Sequence, residues 1–441
     1  SSDDDDELGG LLAGEGEEPP APVALSTVSQ SIFNTVNLLM GTGLLSYPYV
    51  LRLVGWIGVP CIIMFALVCN YTGKLIGKLL TDYRPAVKLR DGPASHTIVG
   101  FHDLAVVAFG RMGLLFISVL FLGETFGYAC VKIIVESGNL HHLLANSATF
   151  QGWEMHHFMA LSVAIFLPTL YLRNLSLLSY FSAISALSAV MLVVGVFESG
   201  LDPAATPNPQ FCTRNCTGSV WNPSPTHVAN WGTLPAIIGP GMVGYAGHAV
   251  FPTIRNDMRD KSKFSTVLNV AFAFICCMYI GIASVGYLMF GDATQDQITL
   301  NLGDSFWARL TVWVVCANPI TKFALDMSPI ALGLEGVALT FLHLEDHGMK
   351  AQAVSIISRT LLALASLAVV VAVPSFSLFL GVIGSISSFT VAVTFPAACY
   401  LKLFWSEISP AERCLCCGLV ALGSGASILG FAAAIQHHKT G

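Results

Sequence analysis

The sequence has few charged residues. Of its 441 residues only 11% are Asp, Glu, Lys or Arg, whereas 54% are hydrophobic, and the formal net charge is −6. Soluble domains carry about 25% charged residues, so this chain has too little charge to cover a soluble fold of its size. It also lacks a basic region, which argues against nucleic-acid binding. The composition therefore predicts an integral membrane protein in contact with lipid.

Motifs of catalysis are lacking as well. The sequence contains no Walker loop, no Rossmann glycine motif and no nucleophile elbow in a suitable context. Its histidine pairs do not have the spacing of a four-ligand metal site. We therefore predict that the chain is not an enzyme and that it has neither a metal site nor an organic cofactor.

Long apolar runs are what the sequence has in excess. A membrane-spanning helix needs roughly 20 mostly apolar residues. Runs of this kind predict eleven spans, at 29–52, 56–80, 113–137, 155–172, 175–199, 233–254, 265–290, 306–334, 352–373, 377–403 and 412–435. They lack the alternation of a membrane barrel, so we expect an all-α polytopic protein. Residues 101–112 are too short and mixed to span, which favours an amphipathic helix at the interface.

The distribution of Lys and Arg predicts the orientation. With a cytosolic N-terminus, most of these residues fall on the cytosolic side of the eleven spans, as the positive-inside rule requires. The C-terminus and the loop 200–232 are then lumenal. That loop contains Cys212 and Cys216, for which a disulfide and two free thiols both remain open. It also contains Asn215 in a glycosylation sequon, Asn-Cys-Thr.

The N-terminal segment differs in composition from the rest. Residues 1–28 are acidic and rich in Gly and Pro, which predicts a disordered cytosolic tail. Within it, Glu7, Leu11 and Leu12 have the spacing of an acidic dileucine signal for endosomal, lysosomal or vacuolar delivery. A chance match in a Leu-rich tail is the alternative. If the signal is used, a sorting adaptor is a partner of this segment.

Two spans carry helix-breaking residues near their middle. The first has Gly41 and Gly43 followed by Pro48, and the sixth has Gly247 followed by Pro252, at an offset of 204 residues. Paired Gly/Pro-interrupted spans in corresponding halves of a chain point to a transporter binding site. Close helix packing through small residues is the alternative. We favour functional breaks, because an unneeded break in the middle of a span would be costly.

Such breaks suit a zwitterionic ligand. Backbone N–H groups released around Gly41 to Gly43 would attract a carboxylate, together with the positive end of the following half-helix. Carbonyl groups released around Tyr245 to Gly247 would accept from an ammonium group. The candidate substrate-binding residues are Asn37, Gly41, Thr42, Gly43, Leu44, Glu124, Tyr245, Gly247 and His248.

Ionisable residues inside the predicted spans are candidates for ion coupling, because they are costly in hydrocarbon. Glu124 in the third span is either a proton carrier, a ligand of the substrate ammonium, or a structural carboxylate. Lys132 and Glu136 have the spacing of an intrahelical ion pair. His248 carries or senses protons, lines the pocket, or is a neutral histidine bonded to a carbonyl.

The eighth span has a second polar group. Lys322 lies beside Asn318 and Thr321, with Asp326 one turn further along. A coupling role and an intrahelical Lys322–Asp326 pair are both compatible with this spacing. The candidate coupling residues are Glu124, His248, Asn318, Thr321 and Lys322.

Several blocks of sequence resemble the amino acid/auxin permease family. They are FNTVNLLMGTGLLSYPYVLRLVGW (33–56), YTGKLIGKLL (71–80), LRNLSLLSYFSA (172–183), GHAVFPTIRNDM (247–258), GYLMFGDATQDQITLNL (286–302) and NPITKFAL (318–325). The chain is most similar to the vacuolar amino-acid transporter branch, which is related to the vesicular inhibitory amino-acid transporters. From about 330 to 441 the resemblance is mainly one of hydropathy.

The resemblance implies a fold and a function. It implies a leucine-transporter-like core over 29–403, made of two inverted five-helix repeats (29–199 and 233–403), with a peripheral eleventh span at 412–435. In sodium-coupled relatives, residues matching Asn37 and Thr321 help to hold sodium, but Lys322 beside them argues against sodium here. We therefore expect a proton-coupled, alternating-access transporter of neutral amino acids in a vacuolar, lysosomal or other acidic organelle membrane. The alternatives are an amino-acid sensor of the same fold and a sodium-coupled transporter.

Overall fold

The computed structural model describes residues 25–82, 100–172, 175–212, 216–344 and 348–440. Within these ranges the secondary structure is helical, apart from a single isolated β-bridge between Ser26 and Met258. The first half contains α1 (Val28–Leu39), α2 (Tyr47–Val54), α3 (Gly58–Asp82), α4 (Phe101–Leu144), α5 (Met155–Tyr171) and α6 (Leu175–Leu201).

The second half follows a long connection after α6. Its helices are α7 (Ile238–Val243), α8 (Phe251–Asn256), α9 (Phe264–Phe290), α10 (Phe306–Phe341), α11 (Met349–Ala372), α12 (Phe376–Val382), α13 (Phe395–Phe404) and α14 (Pro410–Thr440). Two π-helical turns, Ile383–Ser388 and Thr390–Thr394, join α12 to α13. The tenth predicted span is therefore one continuous but irregular helix.

Eight helical stretches of the described chain are each long and apolar enough to cross a membrane. Each of the eleven predicted spans overlaps helical segments, and α5 is a shorter apolar helix. The first and sixth spans are the interrupted ones, built from α1 with α2 and from α7 with α8. The prediction of an all-helical membrane fold is confirmed, whereas the number of eleven crossings and the inverted repeat stay predictions.

Residues 101–112 form a helical arm before the third span. The helix α4 begins at Phe101 but is sharply kinked at Gly110, whose φ of 65° and ψ of −154° lie outside the helical region. Only glycine adopts this conformation without strain, so Gly110 permits the change of direction. The rings of Phe101 and Phe109 pack on Phe395 of α13. The segment is helical, as expected, and the third span proper begins after the kink.

The core is built around α10. This helix packs most extensively against α6 and α4, and α9 packs against α3, α2 and α1. The interrupted helices are thereby held between two groups of long helices. This arrangement places the two breaks next to each other in the interior.

Candidate functional site

The first span is broken where its glycines lie. The helix α1 ends at Leu39, Gly41 is extended, and a 3₁₀ turn covers Thr42–Leu45 before α2 begins at Tyr47. Pro48 occupies the first turn of α2, where a missing N–H costs nothing. The breaking residues seen in the sequence thus act at the positions expected of them.

The sixth span is broken over a longer stretch. The helix α7 ends at Val243 and α8 begins at Phe251, so the residues between them leave the helical path. Pro252 lies in the first turn of α8, matching Pro48 in α2. Both breaks predicted from the Gly and Pro spacing are therefore present in the structure.

The two breaks touch each other through glycines. A Cβ atom added to Gly43 would lie 2.9 Å from the Cα atom of Gly244, so neither position has room for a side chain. The hydroxyl of Tyr279 on α9 lies 2.7 Å from the carbonyl oxygen of Leu39 and 3.0 Å from that of Gly244. The hydroxyl of Tyr279 thus lies within hydrogen-bond distance of one carbonyl group from each break. This reduces the free-energy cost of burying these carbonyl groups.

A cavity of about 560 Å³ adjoins the breaks. It extends from Gly41, Gly43 and Ala246 towards the start of α1 and the end of α8, where Asn34, Thr253 and Asp257 are exposed. Its polar wall is formed by Asn34, Asn37, Thr125, Tyr128, Lys132, Thr253, Asp257, Lys322 and Asp326. This volume is within the usual range of a small-molecule site, and the cavity has a path to the exterior on one side.

Lys322 lies on the cavity wall against the first break. Its Nζ atom donates to the carbonyl oxygen of Met40 at 3.2 Å and, at 3.5 Å, approaches that of Asn37. These carbonyls belong to the C-terminal end of α1, where the helix dipole favours a positive charge. Within the described residues no ion pair joins Lys322 to Asp326, so the intrahelical alternative is not what the structure shows.

Asp326 is paired instead with Lys132 of the third span. The side chain of Lys132 is only 5% exposed and that of Asp326 is 21% exposed, so the pair is largely buried at the edge of the cavity. The predicted intrahelical pair between Lys132 and Glu136 is therefore wrong. Sequence reasoning missed the pair because its members are 194 positions apart. The available signal was the presence of two opposite charges in two apolar spans.

Glu124 lies behind the cavity wall. Its carboxylate accepts from the hydroxyl of Ser388 at 2.6 Å and from that of Tyr128 at 3.4 Å. Only 7% of the residue is exposed, whereas Tyr128 and Thr125 on the same helix line the cavity. Glu124 thus does not line the cavity itself and is connected to it through the hydroxyl of Tyr128.

His248 faces away from the cavity. Its Nε2 atom lies 3.0 Å from the carbonyl oxygen of Cys69 and 3.0 Å from the hydroxyl of Thr72, both on α3. A carbonyl can only accept, so Nε2 carries the hydrogen. The residue is 1% exposed. The structure therefore agrees with a histidine bonded to a carbonyl rather than with one that lines the pocket.

The other candidates from the sixth span are also packed outside the cavity. Tyr245 is fully buried among the rings of Tyr47, Tyr279 and Phe272. A Cβ atom on Gly247 would lie 3.0 Å from a side-chain carbon of Leu38. The residues of the sixth span that line the cavity are instead Val243, Ala246, Val250, Thr253 and Ile254.

Three further candidates, Leu44, Asn318 and Thr321, do not line the cavity. Leu44 and Asn318 line a small separate pocket that also reaches Gly41. The amide of Asn318 donates to the hydroxyl of Ser185 at 2.9 Å. The hydroxyl of Thr321 donates within its own helix, to the carbonyls of Ala317 and Asn318 at 3.0 Å. Of the nine substrate candidates, Asn37, Gly41 and Gly43 line the cavity.

Some predictions fall outside the described residues. These are the side chain of Thr42, the sequon residue Asn215, and the sorting-signal residues Glu7, Leu11 and Leu12. In the loop after α6, Cys212 and Cys216 are joined by a disulfide. This is one of the two alternatives that the sequence left open.

On the far side of the breaks the chain is closely packed. The hydroxyl of Tyr47 donates to the carbonyl of Gly241 at 2.9 Å, and its ring stacks on Tyr279. Arg52 on α2 donates to the carbonyl of Thr294 at 2.7 Å. A Cβ atom on Gly55 would lie 2.5 Å from the carbonyl oxygen of His227. Among the described residues the chain is thus closely packed at this end, whereas the cavity is lined by exposed residues beside α1 and α8.

Comparison with known proteins places this architecture in a family. Residues 25–436 match the family described as "Transmembrane amino acid transporter protein". Two Arabidopsis thaliana proteins, amino acid transporters AVT1C and AVT1D, are each 34% identical to this chain. The alignments cover 93% of this chain and 70% of each of those proteins. The vesicular inhibitory amino acid transporter of Xenopus tropicalis is 23% identical, over 93% of this chain and 77% of that protein.

Solved structures share the fold at low sequence identity. The crystal structure of MhsT in complex with L-phenylalanine superposes with a TM-score of 0.53, covering 95% of this chain and 100% of that one, at 10% identity. A Na⁺-coupled sialic acid symporter superposes with a TM-score of 0.52, over 92% and 89%, at 12% identity. These likenesses establish a leucine-transporter-like fold. Because the family match covers nearly the whole chain, this chain belongs to the transmembrane amino acid transporter family, the amino acid/auxin permeases, and is an amino acid transporter rather than an enzyme.

Proposed function

We propose that this chain is a proton-coupled transporter that moves neutral amino acids across the membrane of an acidic organelle by alternating access. The observation that carries the proposal is the position of Lys322. Its ammonium group lies on the carbonyl oxygens of Met40 and Asn37, where the first helix ends. In transporters with broken helices, such carbonyls are the groups that hold a coupling ion.

A fixed ammonium at this place disfavours sodium. Sodium would need the same carbonyl oxygens, and a positive charge a few ångströms away repels it strongly in a medium of low dielectric constant. Thr321, the expected hydroxyl ligand, donates to carbonyls of its own helix. Lys322 therefore takes the place of a metal cation, and the coupling ion that remains is the proton.

The charges on the cavity wall favour a neutral substrate. Two cations, Lys132 and Lys322, and two carboxylates, Asp257 and Asp326, line the cavity. Lys132 and Asp326 compensate each other directly. A substrate with a net charge would leave one of these groups uncompensated, which is expensive in a buried site. A zwitterion adds equal numbers of positive and negative charges.

The shape of the molecule supports alternating access. The cavity reaches the exterior beside the N-terminal end of α1 and is closed on the other side by Tyr47 and Arg52. With the cytosolic N-terminus that the Lys and Arg distribution predicts, this is an inward-facing conformation. Opening the cavity on the other side requires α2 to move so that Arg52 no longer donates to the carbonyl of Thr294.

The names of the relatives support a location in an organelle membrane. One relative is named a vesicular inhibitory amino acid transporter, and others are named amino acid transporters. Vesicles and vacuoles are acidified compartments whose pH gradient can drive the transport of amino acids across their membranes. We therefore place this chain in the membrane of an acidic organelle.

A flux assay tests the proposal. The purified chain in proteoliposomes is given radiolabelled alanine, leucine or phenylalanine, with glutamate and lysine as charged comparators. Each is measured under a pH gradient of either sign and under a sodium gradient. We expect neutral amino acids to be taken up under the pH gradient of one sign and sodium to have no effect. Stimulation by sodium alone would overturn proton coupling, and binding without flux would favour a sensor.

A further inference from the structure

The third span carries a row of titratable residues at successive turns of the helix. Glu124, Tyr128, Lys132 and Glu136 follow each other at intervals of four residues in α4. At about 1.5 Å rise per residue, this row covers about 18 Å, more than half of the hydrocarbon thickness. Residues four apart lie one above the other on a helix. Such a row in a lipid-spanning helix is costly and calls for a function.

The first three members of the row, counted from Glu124, are in contact with one another. The hydroxyl of Tyr128 donates to Glu124 at 3.4 Å, and the ammonium group of Lys132 lies 5.8 Å from the centre of the Tyr128 ring. Lys132 pairs with Asp326 at the cavity wall. The row therefore reaches the cavity at Tyr128 and Lys132, and Lys132 is paired there with Asp326 of α10.

Glu136 lies one turn beyond, towards the closed side. The residue is 1% exposed, and its Oε2 atom has no hydrogen-bond partner in the part of the chain that the structure describes. The thiol of Cys316 on α10 lies close enough to donate to the carboxyl group. No basic group is paired with it in that part of the chain, so its negative charge is uncompensated. A buried carboxylate in this position is stabilised by taking up a proton.

Polar groups continue from Glu136 towards the closed end. Asn139 accepts from the hydroxyl of Thr299 at 2.7 Å, and Gln297 lies against α4 at Gly138. Further along, His142 meets the amide of Asn208 at 3.1 Å. The side-chain atoms Asn139 Nδ2, Gln297 Oε1 and His142 Nε2 are buried without a partner among the described residues. This end of the helix is thus polar where the surrounding bundle is apolar.

From this arrangement we propose that Glu136 is the proton-binding site on the closed side of the transporter, and that it exchanges its proton with Asp326. The inference rests on the proton coupling proposed above. A proton arriving from the lumenal side binds to the Glu136 carboxylate. Its transfer to the Asp326 carboxylate restores the charge on Glu136 and neutralises Asp326. Lys132 then loses its ionic partner, and the proton leaves Asp326 through the cavity.

Apart from Asp326, few groups among the described residues can titrate near Glu136. On α10 the neighbour is Cys316, on its own helix Lys132 lies one turn away, and His142 lies six residues further on. Gln297 and Thr299, from the segment between α9 and α10, carry no charge. A change in proton movement on replacement of Glu136 can therefore be assigned to this carboxyl group.

The test compares Glu136→Gln with Glu198→Gln. Glu198 lies near the end of α6, outside the row, and is the matched control. Proteoliposomes containing a pH-sensitive dye report proton movement, and radiolabelled alanine reports net uptake and exchange. We expect Glu136→Gln to lose substrate-dependent proton movement and to lower pH-driven uptake at least about tenfold. Exchange of alanine at equal pH should remain within about twofold of the parental rate. Glu198→Gln should behave like the parent.

The outcomes separate this proposal from the one on which it rests. If the parental chain moves no protons with alanine, proton coupling itself is wrong. If the parent moves protons and Glu136→Gln does so equally, Glu136 is not the site. A purely structural role would lower exchange as much as driven uptake. If Glu136→Gln does not insert, Glu136→Asp decides: a displaced pH profile of driven uptake supports the proposal, and an unchanged profile refutes it.

Discussion

The first and sixth spans are both interrupted at glycines, yet the two breaks have different surroundings. The first break faces a cavity and has the ammonium group of Lys322 on its carbonyls. The second is enclosed by close contacts: a Cβ atom on Gly244 would collide with the hydroxyl of Tyr47 and the ring of Tyr279. Tyr245 and His248 are buried in packing with other helices.

The difference suggests a division of roles between two breaks that look equivalent in sequence. Most polar and charged groups of the cavity come from α1, α4 and α10, and Thr253 and Asp257 are added at its outer end. At the second break itself the cavity wall is apolar and is formed by Val243, Ala246 and Val250. We infer that the first break carries ligand and ion recognition. The second break lets α7 and α8 approach their neighbours closely, and changes in it should act through packing.

The largest expected effect is that of Gly43→Leu, at the point where the two breaks touch. The new side chain would meet the backbone of Gly244, which cannot move aside as a flexible side chain could. We expect amino acid uptake in proteoliposomes to be abolished. Gly123→Leu is the control, because no heavy atom of the described chain lies within 4 Å of its added Cβ. Parental uptake by Gly43→Leu would contradict the proposed contact.

Lys322→Met tests the first break alone. Removing the ammonium leaves the carbonyls of Met40 and Asn37 without their cation, and we expect pH-driven uptake to fall at least about tenfold. Lys350→Met, at an exposed position near the start of α11, should leave uptake unchanged. Equal pH-driven uptake by both variants would remove Lys322 from the coupling mechanism.

Asp326→Asn tests whether the ion pair at the cavity contributes more to stability than an ion pair at the surface. The substitution leaves Lys132 buried without an ionic partner, which costs about 3–5 kcal/mol in comparable buried pairs. We expect a clear fall in Tm, measured by thermal unfolding in detergent. Glu412→Gln breaks the exposed pair with Lys78 and should change Tm little. Similar Tm values for the two variants would show that the Lys132–Asp326 pair is not effectively buried.

The smallest effect is expected at the second break. His248→Gln removes a hydrogen bond to α3 that is worth about 1 kcal/mol, while a polar side chain is kept. Because His248 does not line the cavity, we expect the pH profile of uptake to keep its shape and position. The measurement is initial uptake across pH 5–8. A displaced profile would mean that His248 titrates during transport and would remove the distinction between the two breaks.

The backbone features of the site could be predicted from the sequence, because helix breaks leave a local signature. Gly41, Gly43 and Pro48 lie within one stretch of eight residues and indicate where the first helix ends. The side-chain contacts could not be predicted in the same way. Lys132 pairs with Asp326, which is 194 positions away in the sequence, and His248 contacts Thr72, which is 176 positions away. Spacing along one helix suggested nearer partners, and only the packing of α4 against α10 decides between them.

The central claim is that the substrate occupies the cavity beside the first break. Thr125→Cys places a thiol on the cavity wall, and Gly123→Cys places one on the same helix outside the cavity. Labelling of each with a small maleimide is followed by peptide mass spectrometry, with and without a transported amino acid. We predict that the amino acid slows labelling at position 125 and leaves position 123 unchanged. Equal labelling rates at position 125 with and without substrate would contradict the account.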